Sequence, residues 1–310
     1  MERINELTDI IRDKTNRAIF KSDFLNGNDN YKKVFVSLDL IGDSQSAIDE
    51  FLSLDENILP SRTTLYIYGV LQSLFCQQDG IFHLYKLIVD NSIKIGTLFE
   101  QFHFDSGHRE IRNDIVGHPS NRNNGKELYY LSKGSNTKYS FTYAGFTQNL
   151  EKFRVKDVDL RKLITEQKIF VTEVLNAVNA EIDNKIQELI TKFKAMTLLE
   201  LTKGMSYDIT KINEGISHGY PLVKTNINCL TKAISSIKEE LKKRYNNAVP
   251  SETWQQFELI DYILKSFNTW VDNNELIGNM DARVFREGLK KQFEELESML
   301  KGIDEEFADS

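Results

Sequence analysis

The sequence predicts an all-α antiparallel helical bundle with one β-hairpin insertion and extra C-terminal helices. Three observations lead to this fold class. Apolar residues recur at every third or fourth position through most of the chain, as they do on one face of a helix. Only 4 prolines and 16 glycines occur among 310 residues, so long structureless linkers are not expected. The period changes once, near residues 127–146, where aromatic-rich runs are typical of a hairpin.

The first half of the chain is expected to be helical up to the hairpin. An N-terminal helical region covers residues 1–58, and Asp43 or Ser44 can cap its last helix. Pro60 opens a long and strongly apolar helix. A further helix is expected over residues 93–116.

The second half of the chain combines the hairpin with long helices. Two aromatic-rich runs flank the turn Lys133-Gly134-Ser135-Asn136. Asp157 can cap a long helix that continues to about residue 195. Three more helices are predicted, at roughly 223–246, 251–271 and 282–302. The predicted organisation is an N-terminal region at 1–58, a helical domain with the hairpin at 59–195, and a C-terminal helical region at 196–310.

Composition and charge exclude several classes of protein. The formal charge of −7 argues against broad electrostatic binding to nucleic acid. The two cysteines, Cys76 and Cys229, lie far apart, which argues against a disulfide framework or a zinc site. No run approaches the roughly 18 apolar residues of a membrane span, and the N-terminus has no signal-peptide core. We therefore expect a cytoplasmic protein without a membrane partner.

Basic residues are nevertheless concentrated in one segment. Residues 109–138 contain six basic and three acidic side chains, a local charge of 6 − 3 = +3. The basic residues are Arg109, Arg112, Arg122, Lys126, Lys133 and Lys138. A small basic spot on an acidic protein suits a localised anion site better than a long nucleic-acid track.

The segment "GHREIRNDIVGHPSNR" at 107–122 holds a specific motif. Within it, "RNDIVGH" places Asn113 directly after Arg112 and His118 six positions after Arg112. This pattern resembles the signature of the HEPN superfamily, in which an arginine and a polar residue precede a histidine. The preceding stretch "YGVLQSLFCQQDGIFHLYK" resembles the first core helix of that family. The resemblance covers roughly residues 60–195.

The resemblance implies a metal-independent endoribonuclease. In such HEPN enzymes the ribose 2′-OH attacks the adjacent phosphate and leaves a cyclic phosphate, with no cofactor or metal. Arg112, Asn113 and His118 are then the catalytic residues. Histidine can exchange a proton near neutral pH, and arginine can fork two N–H donors onto a phosphate. RNA as substrate, assembly as a homodimer, and a role in defence or as a toxin are further implications.

Other residues are assigned to supporting roles around the motif. The expected substrate-binding residues are Arg109, Arg122 and Lys126. The upstream helix carries a polar stripe at i, i+4, i+7 and i+11, formed by Gln72, Cys76, Asp79 and His83. We expect Asp79 or His83 to orient Arg112 or His118, with Asp114 as a third supporting residue. The alternative is that this stripe is only a solvated face.

Helix geometry sets a condition on the motif. Six residues on an ideal helix turn by about 600°, so the side chains of Arg112 and His118 point about 120° apart. They converge only if Gly117 breaks the helix, or if two copies of the chain share a cleft. In the competing interpretation Arg112 pairs with a nearby acid and His118 caps a helix. The chain is then an inert HEPN-like module for protein–protein interaction, and residues 196–310 bind the protein partner.

Overall fold

The structure is mostly helical with one small antiparallel sheet, which confirms the predicted helical character of the chain. It is a computed structural model. The residues that it describes are 2–17, 20, 28–56, 60–133, 136–147, 151–245, 249 and 251–308. Packing divides the chain into two compact units, one formed by residues 1–15 and 28–183 and the other by residues 16–27 and 184–310. The predicted division at 58 and 195 therefore differs from the grouping that the packing gives.

The described residues before the sheet form the following helices. They are α1 (Glu2–Asn16), α2 (Asn28–Ser53), α3 (Pro60–Ile88), α4 (Ile95–Gln101) and α5 (Gly107–Arg112). A π-helical turn, Asn113–Gly117, continues α5. Helix α2 runs without a break through Asp43 and Ser44, so the predicted cap there is wrong. The side chain of Ser44 is buried on α2 instead.

The single helix predicted over residues 93–116 is interrupted in the structure. Helix α4 ends at Gln101, and His103 adopts a φ of 52°, which a helix does not allow. The interruption buries Phe104, whose ring stacks at 4.4 Å on that of Phe170. Burial of an aromatic side chain stabilises this turn more than another helical turn would.

The predicted hairpin is the first part of a three-stranded antiparallel sheet. Strands β1 (Leu128–Leu131), β2 (Ser140–Thr147) and β3 (Lys152–Asp159) pair in the order β1-β2-β3. Gly145 lies opposite Tyr129, and a Cβ at position 145 would collide with the Tyr129 ring, so glycine is required there. The predicted turn residues 134–135, and residue 246 at the end of a predicted helix, lie outside the described residues.

Strand β3 replaces the helix cap predicted at Asp157. The Asp157 carboxylate accepts a hydrogen bond from Thr142 Oγ1 at 2.6 Å, across the β2–β3 pair. Helix α6 (Leu160–Phe193) begins after Asp159, whose Oδ1 accepts from the backbone N–H groups of Arg161 and Lys162 at 2.8 and 3.2 Å. Asp159 therefore caps the helix, two residues later than predicted.

The core of the first unit lies between α2, α3, the sheet and α6, and it contains a chain of buried amides. Gln77 donates to Gln45 at 3.0 Å, Gln167 donates to Gln77 at 3.1 Å, and Gln78 donates to Gln167 at 2.9 Å. All four side chains are at least nine-tenths buried. Each glutamine is hydrogen-bonded to the next. This row of amides therefore crosses an apolar core with every one of its side chains hydrogen-bonded.

After the end of α6, the described residues of the second unit form a 3₁₀ turn and further helices. These are the turn Leu198–Thr202, α7 (Met205–His218), α8 (Val223–Tyr245), α9 (Ser251–Asp272) and α10 (Met280–Glu306). The three helices predicted in this region correspond to α8, α9 and α10, with boundaries shifted by a few residues. Helix α7 was not predicted.

Arg244 is a fully buried charge in the second unit, with 1% of its surface exposed. Its Nη1 lies 2.9 Å from Asp304 Oδ1, and its Nε lies 3.7 Å from Glu240 Oε1. Asp304 also accepts hydrogen bonds from the backbone N–H groups of Leu198 and Leu199 at 2.8 and 3.0 Å. One carboxylate thus caps the 3₁₀ turn and compensates a buried guanidinium.

Candidate functional site

The π-helical turn brings Arg112, Asn113 and Gly117 together. The backbone N–H of His118 donates to the carbonyl of Asn113 at 2.9 Å, an i→i+5 bond that widens the last helical turn. A Cβ placed on Gly117 would lie 2.7 Å from Arg112 Nη1 and 3.4 Å from Asn113 Oδ1. The guanidinium therefore covers the backbone of the residue next to His118. The α-helical geometry therefore changes over Asn113–Gly117, while the predicted convergence of the Arg112 and His118 side chains stays a prediction.

Arg112 is held by neutral acceptors. Its Nε and Nη2 donate to Gln72 Oε1 at 3.0 and 2.8 Å, and its Nη1 donates to Asn113 Oδ1 at 3.1 Å. Among the described residues Arg112 forms no ion pair, whereas Arg109, Arg122 and Arg244 each pair with a carboxylate. Amide oxygens orient a guanidinium without neutralising it, so the positive charge of Arg112 stays uncompensated.

The donors of Arg112 are only partly used. A guanidinium has five N–H groups, one on Nε and two on each terminal nitrogen. The three hydrogen bonds to Gln72 and Asn113 leave 5 − 3 = 2 donors, one on Nη1 and one on Nη2. One free donor on each terminal nitrogen is the arrangement that a bidentate phosphate contact needs.

The ring of Phe75 supports two arginines of α5. The guanidinium carbons of Arg109 and Arg112 lie 4.0 and 4.1 Å from its ring centroid. Arg109 also pairs with Asp79 at 2.8 Å and approaches Gln78 Oε1, the end of the buried amide chain, at 3.5 Å. Asp79 therefore compensates Arg109 and does not orient Arg112 or His118.

His118 has a fixed backbone and an exposed side chain. Its N–H is bound to Asn113, and its carbonyl accepts from the N–H of Asn121 at 3.1 Å. The next carbonyl, that of Pro119, accepts from the N–H of Tyr129 at 2.8 Å, which ties this segment to strand β1. Within the described part of the chain the imidazole makes no hydrogen bond, so both ring nitrogens are open to solvent or a ligand.

Arg122 and Asp114 form a separate network under the sheet. Arg122 Nε donates to the buried Asp114 at 2.9 Å, and Arg122 Nη2 pairs with Glu110. Asp114 also accepts from the Tyr143 hydroxyl at 3.1 Å and lies 3.5 Å from Lys156 Nζ. Burial and the Asp114 charge raise the pKa of Tyr143 far above its ordinary value. The role of Asp114 in this structure is to hold Arg122 and the sheet rather than Arg112.

Among the described residues, Lys126 and His83 form no hydrogen bond or ion pair with Arg112, Asn113 or His118. Lys126 is exposed and follows Asn123, Asn124 and Gly125, which have φ values of 49°, 60° and 79°. Asparagine and glycine are the residues that adopt this left-handed backbone most readily. His83 is exposed, and its ring lies 5.2 Å from that of Phe82.

His108 is a buried histidine outside the motif. Its Nε2 lies 2.9 Å from Glu166 Oε2, and its ring packs against Phe104 at 4.6 Å. Burial lowers the pKa of His108, and the hydrogen bond to Glu166 opposes that shift. His108 therefore belongs to the core and is separate from the motif.

Two residues of the site were missed as functional residues, Gln72 and Phe75. Gln72 belongs to the predicted polar stripe of α3 without an assigned role, and no role is predicted for Phe75. The stripe is not merely solvated, since Gln72 binds Arg112 and Asp79 binds Arg109. The sequence signal for this pair is a glutamine, Gln72, three residues before an aromatic residue, Phe75, on an otherwise apolar helix.

Comparisons with known protein families, with curated proteins and with solved structures found no match for this chain. Among the described residues, no cluster of three or more His, Cys, Asp or Glu side chains is arranged to hold a metal ion. No helix in the described ranges combines the length and the apolar character that crossing a membrane requires. Function is therefore inferred from the geometry around Arg112.

Proposed function

We propose that this protein is a metal-independent endoribonuclease whose site is formed by Arg112, Asn113 and His118. The uncompensated charge of Arg112 is the observation that carries the proposal. A half-buried guanidinium held only by amide oxygens, with two free N–H donors, is suited to a phosphate group. The accessible imidazole of His118 follows directly after the glycine that the guanidinium covers.

The proposed reaction is an internal transesterification of RNA. A base takes the proton of a ribose 2′-OH, the 2′-oxygen forms a bond to phosphorus, and the bond from phosphorus to the 5′-oxygen breaks. An acid then gives a proton to the leaving 5′-oxygen, and a 2′,3′-cyclic phosphate remains. His118 serves one proton transfer, and Arg112 stabilises the negative charge of the phosphorane. Asn113 keeps Arg112 in place.

A homodimer supplies the second proton-transfer group in this proposal. The motif of one chain contains one histidine, the exposed His118, whereas the reaction needs a base and an acid. A twofold axis near the motif would place His118 of the partner subunit opposite the first, and would double the local positive charge. Light scattering at micromolar concentration tests this part: a dimer is expected, and a monomer with full activity contradicts the shared site.

The decisive experiment is RNA cleavage in EDTA. Purified protein is incubated with mixed RNA, and 2′,3′-cyclic phosphate ends are measured on the products. Cleavage in EDTA is expected, and 2′-O-methyl RNA should be resistant because its nucleophile is blocked. The double variant Arg112→Ala/His118→Ala is the control for a contaminating nuclease. Equal cleavage by this variant, or resistance of all RNA, would reject the proposal.

Arg112→Lys separates charge from geometry at the same site. An ammonium keeps the positive charge but lacks the fork of donors that binds two phosphate oxygens. We expect this variant to retain RNA binding better than it retains cleavage. Equal losses in both would indicate that the forked geometry does not matter.

A second candidate function is supported by an exposed apolar surface in the second unit. Leu222, Ile277, Met280 and Val284 are each more than half exposed. Ile277 packs near the backbone of Gly219, so the loop before Leu222 and the loop before α10 lie together. Apolar groups of this kind are typical of protein-binding surfaces. An inert module would bind its partner here; loss of partner binding in Ile277→Ser, together with no RNA cleavage by the wild type, would favour this candidate.

A further inference from the structure

Strand β3 is an open edge of the sheet. The strands lie in the order β1-β2-β3, so among the described residues β3 pairs with β2 on one side only. The side chains from Lys152 to Asp157 are all exposed. In an antiparallel edge strand, every second residue directs its backbone N–H and C=O away from the neighbouring strand. These backbone groups of β3 can therefore pair with a further strand.

One face of the sheet is apolar next to this edge. Phe153 and Val155 of β3 lie on the same face, two residues apart, and each is more than half exposed. Their neighbours on β2 are Phe146 and Ala144, and the rings of Phe153 and Phe146 lie 5.3 Å apart. The half-exposed Tyr130 of β1 lies opposite Ala144 and continues this row. A strand added beside β3 would extend the row and cover apolar side chains that water now contacts.

The opposite face of β3 carries a row of positive charges. Lys152, Arg154 and Lys156 alternate with the apolar residues of the strand. Lys156 Nζ lies 3.5 Å from Asp114. The side chains of Lys152 and Arg154 form no ion pair or hydrogen bond within the described residues. Two such cations at an open edge attract carboxylates at the matching positions of a strand that lies beside them.

The same charges disfavour a second copy of β3 as the added strand. Two identical antiparallel strands are related by a twofold axis perpendicular to the sheet, which keeps every side chain on its own face. In every register centred on a residue between 152 and 156, two basic residues would therefore lie directly opposite each other. Like charges in that arrangement destabilise a pair of strands.

Single-stranded nucleic acid also fits this edge poorly. Proteins bind it by stacking bases on aromatic rings beside cations that contact the phosphates. The rings of Phe146 and Phe153 lie on one face of the sheet, whereas Lys152 and Arg154 lie on the other. A polypeptide strand matches this division, because its successive side chains also point to opposite faces.

We propose that β3 binds an extended acidic segment of a protein partner as a fourth strand of the sheet. Acidic residues alternate with apolar residues in this segment. Its carboxylates face Lys152 and Arg154, its apolar side chains continue the row of Phe153 and Val155, and its backbone pairs with the open edge. The proposal does not rest on the ribonuclease activity, because none of these residues belongs to the Arg112 motif.

Fluorescence anisotropy of a labelled peptide with the full chain tests the proposal. The probe is an eight-residue peptide that alternates Glu with Val and Tyr, and it should bind saturably. A peptide of the same composition, with all its Glu residues first, should bind at least about tenfold more weakly, because only alternation places every carboxylate on one face.

Methylation of the peptide backbone tests strand pairing itself. One peptide is N-methylated at its Glu residues and another at its apolar residues. Only one of these two sets of N–H groups faces β3, so one peptide should lose at least about tenfold in affinity and the other should bind as the unmodified probe does.

Reversal of the two unpaired charges tests the choice of an acidic partner. Lys152→Glu/Arg154→Glu should weaken binding of the acidic probe at least about tenfold, and it should bind a peptide with Lys in place of Glu more tightly than the wild type does. Lys290→Glu/Lys301→Glu makes the same change of net charge at exposed positions of α10. This control should keep the Kd of the acidic probe within about twofold.

Several outcomes would overturn the proposal. Absence of saturable binding at millimolar peptide would mean that the basic row only guards the edge against pairing. Equal binding of the alternating and rearranged peptides, or an equal effect of both N-methylations, would exclude strand addition. A change of oligomeric state in Lys152→Glu/Arg154→Glu, measured by light scattering, would identify a second copy as the occupant. Tighter binding of an RNA oligomer, lost in the same variant, would identify nucleic acid instead.

Discussion

Arg112 in the first unit and Arg244 in the second are both held by hydrogen bonds and aromatic rings, but their partners differ in charge. Arg244 is fully buried and faces the carboxylates of Asp304 and Glu240. Arg112 is half-buried and faces the amides of Gln72 and Asn113. The charge of Arg244 is therefore compensated by carboxylates, whereas the charge of Arg112 is held only by neutral amides.

The difference in partners follows from the difference in burial of the two guanidinium groups. A guanidinium that is fully removed from water requires opposite charges, because its desolvation is costly. The carboxylates around Arg244 meet that requirement and leave nothing for a ligand. Arg112 keeps contact with water and is oriented by neutral groups, so an incoming anion gains the full attraction of its charge.

The largest effect is expected for His118→Ala, which removes the exposed histidine of the motif that contains Arg112. As a proton-transfer group, His118 should contribute a factor of roughly 10² to 10⁴ in the rate of RNA cleavage. Because its imidazole makes no hydrogen bond within the described residues, the melting temperature and the RNA Kd should change little. Single-turnover cleavage in EDTA provides the measurement. A variant that unfolds, or one that cleaves at the wild-type rate, would show that the histidine only ends the helix.

Arg244→Met should produce the largest loss of stability. It removes one partner of a buried ion pair and leaves Asp304 uncompensated, which costs about 3–5 kcal/mol in the free energy of unfolding. Arg112→Met, the matched variant, should lower the free energy of unfolding by only about 1 kcal/mol. It removes hydrogen bonds from a half-buried guanidinium to the amide oxygens of Gln72 and Asn113, and it leaves no buried charge without a partner. Urea unfolding followed by circular dichroism compares the two. Equal losses would remove the distinction between the two arginines.

Gly117→Ala should impair the site without unfolding the chain. The added Cβ would lie 2.7 Å from Arg112 Nη1, the end of a flexible side chain, so the guanidinium moves while the fold remains. We expect the cleavage rate to fall about tenfold or more, because small displacements of a catalytic group are costly. Gly96→Ala in α4 is the control, since a Cβ there meets no atom within 4 Å. Wild-type activity in Gly117→Ala would mean that the position of the guanidinium is unimportant.

The smallest effect concerns the pH dependence of stability. Burial lowers the pKa of His108 below the ordinary value of 6.5, so the unfolded chain binds a proton more readily than the folded chain. Stability should therefore fall as the pH drops below about 6.5, and His108→Gln should reduce the loss of melting temperature between about pH 7.5 and pH 5.5. The melting temperatures of His108→Gln and the wild type are compared at both pH values. An unchanged dependence in His108→Gln would contradict the shift.

The helices were predictable where one face is continuously apolar, and the sheet was predictable only in part. Helix α10 buries Leu289, Phe293, Leu296 and Leu300, a spacing that the sequence displays directly. Strand β3 buries only Val158, so it shows no alternation that would identify it as a strand. Because β3 extends to Asp159, the following helix begins after Asp159 and that residue caps it. Without the strand, the sequence predicts the cap two residues earlier, at Asp157.

The motif can be selected from the sequence, whereas its geometry cannot, and the catalytic role of the motif stays a prediction. Arg112, Asn113 and His118 could be selected from their order in the chain. The π-helical turn could not, because a single i→i+5 bond between Asn113 and His118 decides it. The pairing of Arg109 and Arg122 with carboxylates depends on three-dimensional contacts to α3 and within the sheet region. Their predicted contacts with RNA stay a prediction.

The most direct test of the uncompensated charge is the salt dependence of RNA binding, measured with uncleavable 2′-O-methyl RNA. Each phosphate neutralised on a single strand contributes about 0.7 to the slope of log K against log salt concentration. Arg112→Gln should reduce the magnitude of that slope by about 0.7. The double variant Arg109→Gln/Asp79→Asn removes a guanidinium together with its carboxylate, and it should leave the slope unchanged. A slope that is unaffected by Arg112→Gln, or that falls equally in the double variant, would contradict the account.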